Sequence, residues 1–424
     1  MKRYTVLAVK NFPELLKGVA NASSDKGYQL WITNRMKKDE VTCAICATHD
    51  GIIQGKGVFY AKLMMIEVDE DGQERKVQEP SGWSGKYSMP LYFADTVFSL
   101  GEDSESMFFS IYEKEMKVSN HVAEVKIPFI RNFEMTKSPD DLTVSKFAVD
   151  RKTLRDKVRK ILAGSLSEAN DTFSFRVSDA GQMEMMTCTN YLIPKETMQV
   201  SKIETEEKKF NPVDMCSVST KKLYSLCSIE AEKVEFTVYM DERNYGRQVM
   251  IKLDKKTEFL LNTKINPPAS AFTLADRVSE SYLYRMKVNA KDIRKALNIL
   301  LIGQKDEIIV DMCPVETESG EGYFIIRDLN SLRKVKIPFG EMEGTIPEEE
   351  KNITTKFRVL NASCAPFDEI IHFINTGDKK LLMTEGSCNI LSTFAEVPNN
   401  QTSNAEEEVA EVTTSADDGE VAAD

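Results

Sequence analysis

Three histidines, one Cys-x-x-Cys pair and one glycine-rich stretch are the residues whose types and spacing could support catalysis or hold a ligand. His49, His121 and His372 lie far apart, and none sits in His-Glu-x-x-His or another metal-ligand spacing. They read as ordinary surface or partly buried histidines. Cys43 and Cys46 fall in the alternating run Val41–Ala47. A strand sends residues three apart to opposite faces, and no second pair follows at zinc-ribbon spacing. The stretch Gly51-Ile52-Ile53-Gln54-Gly55-Lys56-Gly57 has three residues where a phosphate loop needs four, and Gly57 stands where the magnesium-binding Ser or Thr belongs. No Gly-x-Ser-x-Gly elbow occurs. We therefore assign no catalytic residue, no metal ligand and no cofactor, and expect a protein that is not an enzyme.

Basic charge on predicted helices offers a different chemistry. At 100° per residue, Lys152, Arg155 and Arg159 gather on one face, opposite the apolar stripe Leu154, Val158, Ile161 and Leu162. Lys291, Arg294 and Lys295 repeat this beside Ile293, Ala296, Leu297, Leu300 and Leu301. Lys221 and Lys222 precede Leu223, and Lys10 and Lys17 flank Leu15 and Leu16. Any amphipathic surface helix carries some charged face, so one such helix means little. Several at equivalent positions in an acidic chain point to phosphate, which lysine and arginine contact without regard to sequence and with strong salt dependence. No aromatic ladder for stacking single-stranded bases accompanies them, so duplex backbone is the favoured target.

The elements that carry these residues recur. Phe147–Arg155 and Met286–Arg294 match without gaps, and the match continues with Val158 against Leu297 and Ile161 against Leu300. The wider pattern is an apolar strand, a capped helix and then alternating strands with tight turns. It is read six times, with helices predicted at Asn11–Asn21, Tyr92–Leu100, Arg151–Leu162, Thr220–Ile229, Ala290–Ile302 and Pro366–Ile374. Asn11 and Glu14 have capping-box spacing, and Ser219 caps the fourth helix. The second and sixth helices are not basic, and Asp95, Asp368 and Glu369 run against the trend. One unit cannot cover both faces of its small sheet, so six units pair into three α+β domains. The expected domains are 1–135, 136–265 and 266–398, with breaks near Ser138-Pro139-Asp140-Asp141 and Pro267-Pro268-Ala269-Ser270. Segments around Asp69–Lys86 and Glu341–Lys351 read as charged loops.

Length and charge agree with this division, since 424 residues suit several domains of roughly 100–200 residues each. Of the formal net charge of −12, −8 lies in 399–424, which has no lysine or arginine, leaving −4 for the body. That segment is small, polar and acidic and is predicted to be disordered, either as a solubilising tail or as a partner-binding one. No apolar run approaches the roughly 20 residues of a membrane helix, no signal peptide is read at the start, and the eight cysteines are scattered. The expectation is a cytoplasmic protein with reduced thiols and no membrane partner.

Three domains, each of two helix-plus-antiparallel-sheet repeats with helices basic on their outer face, resemble a ring-shaped DNA polymerase sliding clamp. The closest likeness is to the bacterial-type beta clamp, over approximately Met1–Pro398, in a divergent and viral-type form. Where that family has a Thr-Asp-Gly-His-Arg-Leu-like segment, this chain reads Thr189-Asn190-Tyr191-Leu192-Ile193, keeping only the threonine and the apolar end. The resemblance implies a processivity factor, a six-domain ring closed by a head-to-tail homodimer, helices lining the hole, and duplex DNA inside. It implies a DNA polymerase and a clamp loader as partners, and a pocket for apolar peptides near Tyr191, Leu192, Phe394 and Val397. The other readings are a monomeric DNA-binding processivity factor and a viral structural or assembly protein.

Overall fold

The structure is a computed structural model. It describes residues 2–20, 27–37, 40–49, 53–77, 84–101, 106–134, 139, 142–164, 172–189, 192–204, 209–253, 257–274, 282–302, 308–316, 322–329, 333–347, 353–377 and 380–393. Among them are six helices of at least eight residues: α1 (Phe12–Ala20), α2 (Phe93–Gly101), α3 (Arg151–Ala163), α4 (Thr220–Cys227), α5 (Ala290–Leu301) and α6 (Phe357–Cys364). The named strands pair antiparallel, so the described residues are α+β. The acidic segment 399–424 lies outside the described residues.

The helices form where polar caps meet apolar periodicity. Asp150 accepts hydrogen bonds from the Thr153 amide at 2.7 Å and its hydroxyl at 2.6 Å. Ser219 accepts from the Lys222 amide, and Asn289 from the Lys291 amide. Such caps contribute about 1 kcal/mol each. Leu154, Val158 and Ile161 on α3, and Ile293, Leu297 and Leu300 on α5, are fully buried, each burial contributing about 1.5–3 kcal/mol. Asn11 departs from its predicted role. Its φ of 52° is left-handed, whereas a capping residue is extended.

The sixth helix is also displaced from the prediction. It spans Phe357–Cys364, and Ile370–Asn375 is a strand. Lys356 at its start makes no side-chain cap bond, so the local signal for a helix beginning is missing. Pro366 follows the helix instead of opening it, and the β-branched run Ile370, Ile371 and Ile374 favours a strand. Asp368 and Glu369 therefore lie between helix and strand, not on a helix face.

Parts of the two segments read as charged loops are strand, namely 74–77 and 85–86 of the first and 341–344 of the second, while 78–83 and 348–351 lie outside the described residues. Met65–Val68 pairs with Glu74–Val77 around a turn in which the Asp69 carboxylate accepts from the Asp71 and Gln73 amides. Strand Lys334–Gly344 ends within the second segment, with ion pairs Lys287–Glu341 and Arg285–Glu343 at 2.6 Å.

The residues divide into two compact units: Met1–Val158, Thr172–Met183 and Met198–Asn266 form one, and Arg159–Asp171, Glu184–Thr197 and Pro267–Asp424 the other. A 14-stranded antiparallel sheet runs through the first. Inside it, Thr257–Asn262 pairs with the start of Ile53–Val68, and the Lys56–Glu258 ion pair at 3.0 Å crosses that joint. Among the described residues, strand Glu124–Pro128 ends the sheet and pairs with Glu115–Ser119 alone. Helix α1 lies close on the sheet because Gly57 has no side chain. A Cβ there would come within 2.9 Å of Leu15. In the second unit, Leu192–Lys195 pairs with Asn389–Ser392, and the path continues to Tyr284–Asn289 and Lys334–Gly344.

Candidate nucleic-acid interface

In the first unit the helices are neighbours in the order α2, α1, α4, α3. Helix α1 packs on α2, and Gly18 of α1 lies against Ile229 just past α4. Arg151, opening α3, donates to the Cys227 carbonyl at 3.0 Å and the Ala231 carbonyl at 2.7 Å. It thereby satisfies carbonyls left free at the α4 terminus.

This row presents the predicted basic residues. Lys10, Lys17, Lys152 and Lys221 are exposed, Arg155 is exposed, and Lys222 is half-buried. Lys10 and Lys17 line a cavity of about 840 Å³ with Glu14, Tyr60, Ile229 and Glu230. Arg155 sits over the Tyr224 ring, its guanidinium carbon 5.8 Å from the centroid. Arg159, also exposed, lies farther along α3 in the stretch belonging to the second unit.

In the second unit, Lys291 and Lys295 are exposed on α5. Arg294 is half-buried and donates to the Ala365 carbonyl at the end of α6, at 3.5 Å. Lys10, Lys17, Lys152, Arg159, Lys291 and Lys295 make no salt bridge with another described residue. Cations left in water in this way remain available to phosphate.

Of the residues expected at a partner pocket, Tyr191, Phe394 and Val397 lie outside the described residues. Leu192 is fully buried within the core cluster that includes Tyr284 and Leu297. Its amide donates to the Thr189 hydroxyl at 2.9 Å, so the surviving threonine closes a turn. Two residues of the interface escaped the reading of the sequence: Arg151, whose guanidinium ties α3 to α4, and Tyr224, whose ring lies under Arg155. The available signal for Tyr224 is its position three residues after Lys221, which puts the two on one helix face.

The residues of the rejected catalytic motifs are distributed as follows. His121 is exposed with its ring edge-on to Phe108 at 5.9 Å, and His372 is half-buried in strand Ile370–Asn375. Cys43 and Cys46 are fully buried in strand Glu40–His49, and burial pushes both thiols up to about 12. Because only the thiolate reacts, neither should be alkylated by iodoacetamide at pH 8 in the folded protein. Mass spectrometry after native labelling checks this, and stoichiometric modification of either would contradict the burial.

No family model matches the sequence, and no curated protein matches it. Solved structures do match in fold. The DNA polymerase III beta subunit of Thermotoga maritima superposes with a TM-score of 0.66 at 12% identity, covering 93% of this chain and all of that one. The DNA polymerase sliding clamp of Bacillus subtilis gives 0.66 at 13% identity over 94% of this chain and all of that one. The Helicobacter pylori beta clamp bound to a DNA ligase peptide gives 0.63 at 12% identity over 92% and 100%. The chain has the fold of the bacterial DNA polymerase III beta sliding clamps over nearly its whole length.

Proposed function

We propose that this protein is a DNA polymerase sliding clamp, a non-enzymatic processivity factor that encircles duplex DNA as a homodimeric ring. The observation that carries the reading is the row of neighbouring helices bearing solvent-facing cations in a chain of net charge −12. Individually weak phosphate contacts let a ring slide, and the acidic remainder keeps DNA from adhering elsewhere. The DNA contacts are Lys10, Lys17, Lys152, Arg155, Arg159, Lys221, Lys222, Lys291 and Lys295, and Arg294, expected among them from the sequence, is turned to the Ala365 carbonyl instead. A polymerase bound to such a ring stays at high effective concentration near its template. The ligase peptide on the Helicobacter pylori clamp supports client peptides as partners here. A polymerase and a loader belong to the same reading.

Three domains per chain, 1–135, 136–265 and 266–398, need a second copy to make six. Open sheet edges support the head-to-tail closure. Within the chain, Thr257–Asn262 pairs with the start of Ile53–Val68, and Asn389–Ser392 pairs with Leu192–Lys195. The corresponding strand of the first repeat pair, Glu124–Pro128, has one edge open among the described residues, and Val125 within it and Val122 beside it are exposed. The complementary edge is the start of Lys334–Gly344, because Tyr284–Asn289 covers only its Phe339–Gly344 part. Beside that start, Arg333 donates to the carbonyl of Ile302, where Ile299, Leu301 and Ile302 are exposed. An edge of one copy added to the other closes a heterologous ring.

The test is topological. Protein is incubated at micromolar concentration with a nicked circular plasmid, which allows spontaneous ring opening, and the complex is isolated by gel filtration. Linearising the plasmid should release nearly all of the retained protein at once. Retention unaffected by the cut would sink the clamp reading.

A further inference from the structure

Equivalent positions in two repeats use their arginines differently. Arg155 of α3 and Arg294 of α5 each lie five residues beyond the helix cap, Asp150 and Asn289 respectively. In the second unit Arg294 turns inward and donates to the Ala365 carbonyl at the end of α6. In the first unit that duty falls to Arg151, which holds the end of α4 through the Cys227 carbonyl. Its counterpart in α5 is Ala290, which has no side chain able to do so. Arg155 is thereby released from capping, remains exposed, and lies over Tyr224, which is half-buried on α4.

A guanidinium lying over an aromatic face keeps its N–H groups free to donate. That contact restricts the rotamers of a long side chain before any ligand arrives. A preorganised donor binds more tightly than a mobile one by the ordering entropy it no longer loses. Arginine presents the planar fork that matches two phosphate oxygens, which the neighbouring Lys152 cannot do.

We infer that Arg155, held over Tyr224, is a built phosphodiester contact of the helix row, and that Tyr224 is its positioning residue. The inference rests on the duplex-encircling reading and makes the contacts unequal around the ring. The α3–α4 pair grips the backbone, whereas Arg294 at the matching place of the α5–α6 pair serves the fold.

The experiment is a fluorescence titration of a labelled linear duplex, which can thread the ring without a loader, at several salt concentrations. Arg155→Ala should weaken binding by about three- to tenfold at low salt and reduce the salt slope by about 0.9, the value for one phosphate contact. Tyr224→Leu should weaken binding by about two- to fivefold with the slope unchanged, since the cation remains but is no longer held. Tyr224→Phe, which keeps the ring, should bind as the unmodified protein does. The double variant Arg155→Ala with Tyr224→Leu should match Arg155→Ala alone, because the tyrosine acts only through the arginine. Additive losses in the double variant, or full affinity in Tyr224→Leu, overturn the inference while leaving the clamp reading intact. Absence of any salt-dependent binding by the unmodified protein overturns both.

Discussion

Replacing Leu301 and Ile302 together by aspartate should give a folded monomer in light scattering, half the mass of the unmodified protein, with no retention on circular DNA. Leu301 is 41% exposed and Ile302 is 66% exposed at the end of α5, so the free chain tolerates charge there at little cost. In a ring each joint would lose two apolar side chains, about 1.5–3 kcal/mol apiece when fully buried, and would have to desolvate carboxylates. A loss on the order of 4 kcal/mol per joint, doubled because a closed dimer has two joints, raises the dissociation constant roughly a millionfold. A variant that keeps the dimer mass would remove this end of α5 from the joint. Circular dichroism identical to that of the unmodified protein is the control, since these residues support no core.

The helices were legible where periodicity and a cap coincided. Thr220–Cys227 and Ala290–Leu301 begin behind Ser219 and Asn289, as expected, because both side chains accept an orphan amide of the first turn. Gly181 and Gly386 close two tight hairpins with positive φ, a conformation that favours glycine. The sixth helix was misplaced because Lys356 gives no capping signal, while Pro366 imitates one. Capping-box spacing at Asn11 and Glu14 misled for a related reason, in that spacing alone does not report the left-handed backbone of Asn11.

For the interface, sequence revealed which residues are basic but not how each cation is engaged. Lys152 and Arg155 share a helix face, yet only Arg155 rests on a ring contributed by another helix, about 70 residues away in the chain. Arg294 occupies the same repeat position as Arg155 and reaches a helix terminus instead. Tertiary neighbours decide such differences, and periodicity contains no information about them. Leu192 illustrates the converse. Its apolar character fits a peptide pocket as well as a core, and the structure buries it among Tyr284 and Leu297.

Phe236→Ala should lower the unfolding transition of the first unit by roughly 10 °C while leaving that of the second in place. Phe236 is fully buried and stacked on Phe147, with ring centroids 5.1 Å apart and planes 8° from parallel. Phe175 meets both rings at centroid distances of 6.0 and 6.2 Å. Removing one member leaves a cavity that its rigid neighbours cannot fill, which costs about 3–5 kcal/mol. In a unit of this size each kcal/mol corresponds to about 2–4 °C. Phe147 stands in the strand that leads directly into α3, so loosening this cluster also loosens the helix that bears Lys152 and Arg155. The DNA-binding slope measured below the transition should nevertheless be that of the unmodified protein, since no phosphate contact is removed. Calorimetry resolves the two transitions, and a shift shared equally by both would mean that the units unfold as one.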